Sequence, residues 1–192
     1  MTVPLDYLGV RPYLGGRFGV PLFIYVERCR STQDLFPEDA SEGALALAEE
    51  QSGGRGRLGR VWEAGSGTSL LFSLCLRPQV EIARLPTLTI VFAEAIVSAI
   101  AEVSGAEAHI KEPNDVLVSG KKVAGVIAEA AGGRVVLGAG INVSQGEGDL
   151  PERPIYPATS LLLETGTVVD RALLLAHVLM QLERRYELWL AG

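Results

Sequence analysis

Twelve consecutive residues carry the densest group of chemically versatile side chains in the chain. Residues 51–62, Gln-Ser-Gly-Gly-Arg-Gly-Arg-Leu-Gly-Arg-Val-Trp, contain four glycines and three arginines and no acidic residue. Arginine presents a planar fork of donors that suits carboxylates and phosphates, and glycine allows backbone conformations that other residues resist. The pattern favours a loop that wraps a small anion. The alternatives are a flexible surface loop with solvated arginines, or an Arg-Gly segment that binds nucleic acid.

The overall composition argues against several of the classes that such a loop could serve. The formal net charge is −6, which opposes general affinity for DNA or RNA because that affinity depends on neutralising phosphates. No uncharged apolar run approaches the ~18 residues of a membrane span, and the first residues lack the pattern of a secretory signal. The two cysteines form no C-x-x-C pair. We therefore expect a cytoplasmic protein with no nucleic-acid or membrane partner.

The first half of the chain predicts strands followed by a long helix. β-branched and aromatic residues at 21–27 predict a strand. Residues 44–49 favour a helix by composition, but their alternation of larger and smaller side chains fits a buried strand. Apolar residues at alternate positions of 69–76 predict another strand. The mostly apolar segment 85–104 carries a polar residue at every fourth position near its end, which predicts a largely buried helix.

The second half predicts an antiparallel meander and a closing helix. A strand at 108–111 precedes a corner at 112–115, and Ser119-Gly120 and Gly132-Gly133 predict tight turns between three further strands. Residues 144–157 are predicted as loop, a short helix is expected to end at Gly166, and Asp170 is expected to cap a helix over 171–190. Hairpins beside long helices predict an α+β fold, with a mixed, largely antiparallel sheet covered by helices.

Four segments in order resemble the motifs of one family, the biotin protein ligases, which belong with the lipoate ligases and octanoyl transferases. Gln51 and Gly-Arg-Gly-Arg-Leu-Gly-Arg-Val-Trp at 54–62 match its glycine-arginine loop. Lys-Glu-Pro-Asn-Asp at 111–115, Lys-Val-Ala-Gly-Val at 122–126 and Gly-Ala-Gly-Ile-Asn at 138–142 match its later motifs. The resemblance covers roughly residues 21–190 and implies a single biotin/lipoate ligase catalytic domain, class II synthetase-like, within 1–192.

The resemblance implies a two-step, ATP-dependent reaction. The carboxylate of biotin attacks the α-phosphate of ATP with Mg²⁺, and a lysine of the biotin carboxyl carrier protein of acetyl-CoA carboxylase then attacks the resulting biotinyl-5′-AMP. Because the first step joins two anions, positive groups must offset their repulsion. An adenylate is also easily hydrolysed, so a loop that orders over it would exclude water. We therefore hypothesise that residues 53–61 are mobile without ligand.

The resemblance also assigns roles at the matching positions. The implied catalytic residues are Lys122, Arg55 and Arg57. The implied biotin-binding residues are Ser31, Thr32, Gln51, Gly54, Arg55, Arg57, Lys122 and Gly125. The implied nucleotide-binding residues are Arg60, Trp62, Lys111, Asn114, Asp115 and Asn142, with Asp115 as the candidate magnesium ligand. Taken without the resemblance, Ser31 is more simply a helix cap, Asp115 a turn former and Lys122 a solvated turn lysine.

Two substitutions and two expected absences set this chain apart from the family pattern. Glu112 stands where the family usually has Trp, and Gln33 replaces the customary Asn. We expect neither a preceding DNA-binding domain nor the C-terminal SH3-like domain of many relatives. Relatives pair through sheet edges, which implies a homodimer. The alternatives to a biotin ligase are a lipoyl or octanoyl transferase on the same fold, or a non-catalytic biotin-binding relative.

Overall fold

The fold is built from nine strands and four α-helices within residues 5–151 and 157–192, which are the parts of the chain that the computed structural model describes. The strands are β1 (Phe23–Cys29), β2 (Leu45–Gln51), β3 (Gly54–Arg55), β4 (Val61–Trp62), β5 (Ser69–Leu76), β6 (Ala108–Lys111), β7 (Asp115–Val118), β8 (Lys121–Ala131) and β9 (Arg134–Asn142). The helices are α1 (Tyr7–Val10), α2 (Leu88–Ser104), α3 (Leu161–Thr165) and α4 (Arg171–Ala191).

Seven of the strands form one sheet in the order β1-β2-β5-β9-β8-β7-β6, and β3 and β4 form a separate small hairpin. Only β1 and β2 are parallel in this sheet; every other neighbouring pair is antiparallel. Helices α2 and α4 contribute to the core beside it. The predicted α+β class with a mixed, largely antiparallel sheet is therefore confirmed.

Two tight turns set the register of the meander that ends in β9. Ser119 and Gly120 have φ of 51° and 77°, and Gly132 and Gly133 have φ of 59° and 75°. Positive φ at both central residues is the geometry whose twist matches that of the flanking strands. Both predicted turns are confirmed, and the meander has four strands rather than three because β6 pairs antiparallel with β7.

Side-chain alternation in β5 separates two layers of apolar packing. Leu70, Phe72, Leu74 and Leu76 are buried in the main core, which includes residues of α2 and α4. Cys75 points to the other face and packs with a smaller cluster that includes Phe36. Because β5 is buried on both faces, its whole sequence is apolar or small.

Local signals placed most of the helix ends correctly. Asp170 accepts hydrogen bonds at the start of α4, and Ser160 does so at the start of α3. Gly105 and Gly166 close α2 and α3 in the left-handed conformation. Helix α2 starts at Leu88 instead of 85, because a 3₁₀ turn that contains Pro86 occupies Ile82–Thr87. The first strand lies two residues later than predicted, and part of the predicted 144–157 loop, 152–156, falls outside the described residues.

One helical segment, Ile82–Ser104, is long and apolar enough to cross a membrane by length and composition alone. In this fold Leu88, Phe92, Ile96 and Ile100 are buried in the core. Packing against the sheet therefore accounts for the apolar composition of the segment.

Candidate active site

The predicted site residues surround one cavity of ≈ 490 Å³ over β8 and β9. Along β8 and β9, Gly125, Ile127, Gly138 and Gly140 line it. Their register pairs Gly125 with Gly140 and Ile127 with Gly138, so the four share one face of the sheet. Thirteen of the fourteen predicted residues line this cavity, and Gly54 is the exception. This proximity is what the predicted reaction requires, while the ligand that each residue contacts stays a prediction.

Gly54 is buried at the base of the β3–β4 hairpin instead of facing the cavity. A Cβ at this position would lie 2.7 Å from the carbonyl oxygen of Trp62 and 3.1 Å from Nε2 of Gln51. A side chain has no room there, so glycine lets the two ends of the hairpin approach each other. The structure therefore gives Gly54 a packing role, and its predicted biotin contact is not seen in the cavity lining.

The indole of Trp62 lies directly on the glycines of the cavity floor. A Cβ on Gly140 would be 2.4 Å from Cε2 of Trp62, and one on Gly125 would be 3.1 Å from Cζ3. The Nε1 atom of Trp62 is buried and has no hydrogen-bond partner among the described residues. The glycines thus allow an aromatic wall to rest against the sheet, with one polar atom that is unsatisfied in this arrangement.

Lys122 is held at the cavity by its side chain and its backbone. Its Nζ lies 2.7 Å from Oδ1 of Asp115 and 5.5 Å from the ring centroid of Trp62. Its backbone N–H donates to Pro157, and its carbonyl accepts from Thr159. The neighbouring Lys121 is the solvated turn lysine, because its side chain is 49% exposed and pairs with Glu164. The side chain of Asp115 and the backbone of Pro157 and Thr159 therefore fix Lys122. Asp115 accepts one of the three ammonium hydrogens, and the other two can be donated to a ligand.

Uncharged polar groups form the other end of the cavity. The N–H and Oγ1 of Thr32 lie 2.7 and 3.1 Å from Oε1 of Gln51, and Oγ1 also lies 2.7 Å from Oγ of Ser73. Ser31 lines the cavity and also caps the 3₁₀ turn Thr32–Asp34. Ser31 can therefore cap this turn and face a ligand in the cavity at the same time. This buried, neutral end suits a ligand group with amide-like donors and acceptors.

Two asparagine amides are fixed by backbone contacts at the edge of the cavity. Nδ2 of Asn114 donates to the carbonyl of Val126 at 2.9 Å. Nδ2 of Asn142 donates to the carbonyl of Thr159 at 2.9 Å, and its Oδ1 accepts from Gln145 at 3.1 Å. Asn142 therefore has a scaffold role in this arrangement, and one of its two amide hydrogens is left for a ligand.

The tip of the hairpin is much less constrained than the sheet. Arg57 and Arg60 are exposed, and the contact from Arg57 to Oδ1 of Asn114 is long at 3.4 Å. Leu58 is 85% exposed and has a φ of 60°. A 3₁₀ turn at Arg57–Gly59 and a bond from Gly56 N–H to the Arg60 carbonyl shape the tip. The predicted mobility of 53–61 stays a prediction.

Arg55 is held by two carboxylates that the sequence did not identify, Asp34 and Glu129, and by the amide of Gln33. Its guanidinium contacts Asp34, Glu129 and Gln33. Burial on its own lowers the pKa of Arg55, but the hydrogen bond and charge of Asp34 and the charge of Glu129 outweigh it and raise the pKa above its usual value. Alternation along β8 places Glu129 on the face of Gly125 and Ile127, which is a signal that could have identified it.

Charge is mixed around the cavity. Among the described lining residues are five cationic side chains, Arg55, Arg57, Arg60, Lys111 and Lys122, and three carboxylates, Glu63, Glu112 and Asp115. Glu112 is exposed and has no ion-pair partner within 4.0 Å in the described parts of the chain. No group of three or more His, Cys, Asp or Glu residues that could hold a metal occurs within 5–151 and 157–192.

Comparison with known proteins assigns the family. The sequence model of the Biotin/lipoate A/B protein ligase family matches residues 25–145, which is more than half of the chain. The chain belongs to this family. The family resemblance predicted from the four motifs is thereby confirmed.

The chain is similar in sequence to two curated relatives and in fold to one solved structure. The chain is 36% identical over 196 residues to the biotin–[acetyl-CoA-carboxylase] ligase of Mycobacterium tuberculosis, covering 97% of this chain and 72% of that protein. It is 39% identical over 172 residues to the bifunctional ligase/repressor BirA of Bacillus subtilis, covering 85% of this chain and 53% of that protein. The chain thus spans about half the length of the BirA proteins that it matches.

The structural comparison confirms the fold of this family member. The biotin protein ligase from Aquifex aeolicus, solved in complex with biotin and ATP, superposes with a TM-score of 0.78 at 35% identity. The match covers 86% of this chain and 70% of that one.

Proposed function

We propose that this chain is an ATP-dependent biotin ligase that forms biotinyl-5′-AMP and transfers biotin to a lysine of a carrier protein. The observation that carries the proposal is the pairing of two unlike ends in one cavity. The Thr32–Gln51 end offers uncharged donors and acceptors, and the Lys122 end offers cations. Biotin has the same polarity, with an amide-like ring system at one end and a carboxylate at the other. The named relatives support the same substrate.

In the first step a carboxylate oxygen of biotin forms a bond to the α-phosphorus of ATP, and pyrophosphate leaves. Lys122 is fixed by Asp115 and by its backbone bonds, so its remaining hydrogens can be directed at the carboxylate and at charge that develops on phosphorus. Arg57 and Arg60 on the hairpin supply further positive charge from the opposite side. The buried neutral end orients the ring, which makes the reaction effectively intramolecular.

In the second step the amine of the carrier lysine attacks the acyl carbon of the adenylate. An amide bond forms, the acyl–oxygen bond to AMP breaks, and the amine gives up one proton. The hairpin residues Arg57–Arg60 cover this anhydride and limit the access of water until the amine arrives. The exposed Glu112 at the cavity margin adds negative charge on the side where a cationic lysine would enter.

The proposed cofactor is Mg²⁺, with Asp115 as its protein ligand. The fit rests on donor chemistry, because Mg²⁺ is commonly held by one or two carboxylates together with substrate phosphates. Asp115 lines the cavity with a side chain that is 16% exposed, and Lys122 occupies Oδ1. When bound, the ion would neutralise charge on the phosphates of ATP.

The proposal also includes the carrier protein, the oligomeric state and the cellular location. The carrier is the biotin carboxyl carrier protein of acetyl-CoA carboxylase, supported by the name of the mycobacterial relative. A homodimer is supported by β8, since β7 pairs with it only as far as Gly125 and its later residues have β9 alone as a neighbour. A cytoplasmic location is supported by the free Cys29 and Cys75 thiols.

The deciding experiment measures pyrophosphate release from Mg²⁺ and ATP in the presence of biotin or lipoate. Release with biotin alone supports the proposal, and release with lipoate alone supports a lipoyl transferase of the same family. Release with neither, together with calorimetric binding of biotin, indicates a non-catalytic biotin-binding protein. A second assay then follows biotin transfer to the carrier protein and to a carrier whose acceptor lysine is replaced by arginine.

A further inference from the structure

Arg55 lies in the cavity wall and is bonded to three side chains. Its Nη1 lies 2.7 Å from Oδ1 of Asp34. Its Nε lies 2.8 Å from Oε1 of Glu129, and its Nη2 lies 3.0 Å from Oε2 of the same carboxylate. Nε also lies 3.2 Å from Oε1 of Gln33. Side-on contact with both oxygens of one carboxylate is among the stronger geometries that arginine makes.

The partners of Arg55 come from separate parts of the fold. Gln33 and Asp34 belong to the 3₁₀ turn after β1, and Glu129 lies on β8. Gln33 is itself fixed, since it is buried, donates to the carbonyl of Val136 and packs where a side chain on Gly138 would lie. Arg55 therefore ties the base of the β3–β4 hairpin to two other elements of the fold.

Two carboxylates around one guanidinium leave a net negative charge at this position. A ligand carboxylate or phosphate that sought Arg55 would have to displace Asp34 or Glu129 first, and would face the repulsion of the one that remained. Arg57 and Arg60 carry no such pairs in the described residues: apart from the long contact to Asn114, Arg57 has no side-chain bond, and both are exposed. The geometry thus separates an anchored arginine from two that are available to anions.

We propose that Gln33, Asp34 and Glu129 are positioning residues that clamp Arg55, so that the hairpin pivots at its base and only residues 56–61 open and close over the cavity. This proposal rests on the proposed function for its effect on the adenylate, but the clamp itself is a property of the ligand-free protein. The proposal also changes the predicted role of Arg55. Arg55 holds the base of the hairpin in place, while Arg57 and Arg60 contact the anions.

The first test is hydrogen exchange in the ligand-free protein, which needs no activity. Glu129→Gln and Asp34→Asn remove one charge each at side chains that are 43% and 46% exposed, so the fold is expected to tolerate both. Exchange of the Arg55 and Trp62 amides, which lie in the paired base of the hairpin, should accelerate about three- to tenfold in either variant. The core strand β5 should be unaffected.

Glu50→Gln is the matched control. Glu50 pairs with Arg28 at 2.8 Å outside the cavity lining, and its loss should leave hairpin exchange unchanged. The double variant Asp34→Asn/Glu129→Gln should exchange faster than either single variant. Equal exchange in wild type and both clamp variants, an equal rise in the control, or wild-type Arg55 and Trp62 amides at the hairpin base that already exchange as fast as those of an unstructured peptide would each overturn the clamp.

The second test connects the clamp to retention of the intermediate. With biotin, ATP and no carrier protein, steady release of AMP reports leakage and hydrolysis of the adenylate. Asp34→Asn and Glu129→Gln should raise this leak about three- to tenfold, with the initial burst of pyrophosphate preserved. Absence of any biotin-dependent pyrophosphate release in wild type contradicts the proposed function and leaves the exchange result standing. Faster exchange with an unchanged leak contradicts only the link to retention.

Discussion

The two walls of the cavity differ in how firmly their side chains are held. On the sheet wall, Lys122 is bonded through side chain and backbone, and Asn142 has both amide atoms engaged. On the hairpin wall, Arg57 and Arg60 are exposed and Leu58 points into solvent. The sheet wall therefore has its geometry before a ligand arrives, whereas the hairpin wall beyond the anchored Arg55 has charged side chains without a fixed position.

This difference separates the two demands that the proposed adenylate-forming reaction places on its site. Transition-state stabilisation requires donors whose positions cost no reorganisation at the moment of reaction, which suits the sheet. Entry of two substrates and exclusion of water require a cover that moves, which suits the hairpin. We expect sheet-wall substitutions to change the chemical step and hairpin substitutions to change binding and leakage.

The largest effect is expected from Lys122→Ala on the sheet wall. Removal of the fixed cation that we propose acts at the reacting phosphate should lower the rate of pyrophosphate release by about 10²- to 10³-fold. The neighbouring Lys121→Ala is the control, because Lys121 lies outside the cavity lining and pairs with Glu164. Pyrophosphate release by Lys122→Ala at the wild-type rate would remove this residue from the mechanism.

The second-largest effect, on biotin affinity, is expected where the hairpin wall rests on the sheet wall. A methyl group at Gly140 would lie 2.4 Å from the Trp62 indole, so Gly140→Ala should push the hairpin wall off the sheet. Overpacking of this kind costs roughly 1–3 kcal/mol, and we expect biotin affinity by calorimetry to fall about tenfold or more. Gly148→Ala, where nothing lies within 4 Å, should bind as the wild type does.

The sequence predicted local features well because their causes are local. The turns at Ser119-Gly120 and Gly132-Gly133, the helix end at Gly166 and the cap at Asp170 follow from the residues themselves. The segment 44–49 stayed ambiguous because β2 is buried on both faces: Leu45 and Leu47 pack in the main core, whereas Ala46 packs in the smaller cluster. A strand buried on both faces loses the polar alternation that identifies strands.

The cavity lining was predictable from motif order, but the bonds that organise it were not. Arg55 lies 21 residues from Asp34 and 74 residues from Glu129 in the chain. No local sequence pattern links three such residues. They meet because the fold places β8 next to the turn that follows β1. In the sequence, Gln33 is recognisable only as a replacement for the family's Asn. Its contact with Arg55 depends on the tertiary structure.

A moderate effect is expected when ligands bring the walls together. Biotin and ATP should slow hydrogen exchange of residues 56–61 several-fold, since closure orders a segment that is exposed without them. Amides of β9 should change little, because that strand is paired on both sides already. Protection of β9 with none in the hairpin would reverse the proposed division between a fixed and a moving wall.

The smallest effect tests what keeps the sheet wall rigid beside Lys122. Glu164 lies 2.6 Å from Oγ1 of Thr159, and Thr159 bonds to the backbone of Lys122. The hydrogen bond from Thr159, helped by Lys121 and opposed by burial, lowers the pKa of Glu164 below its usual 4.5. A carboxyl group with a lowered pKa in the folded state stabilises the fold above its unfolded pKa, and this contribution is lost as the pH falls through the folded value.

Glu164→Gln should therefore lower the free energy of unfolding by about 1 kcal/mol near neutral pH. The difference from wild type should shrink once the pH falls below the usual 4.5 of a glutamate, as urea denaturation across the acidic range will measure. Glu187→Gln, which removes a 3.7 Å pair with Arg17 at a 61% exposed side chain, should show little change at any pH. A Glu164 deficit that grows as the pH falls would mean that the carboxylate destabilises the fold, and that Thr159 and Lys122 are held without it.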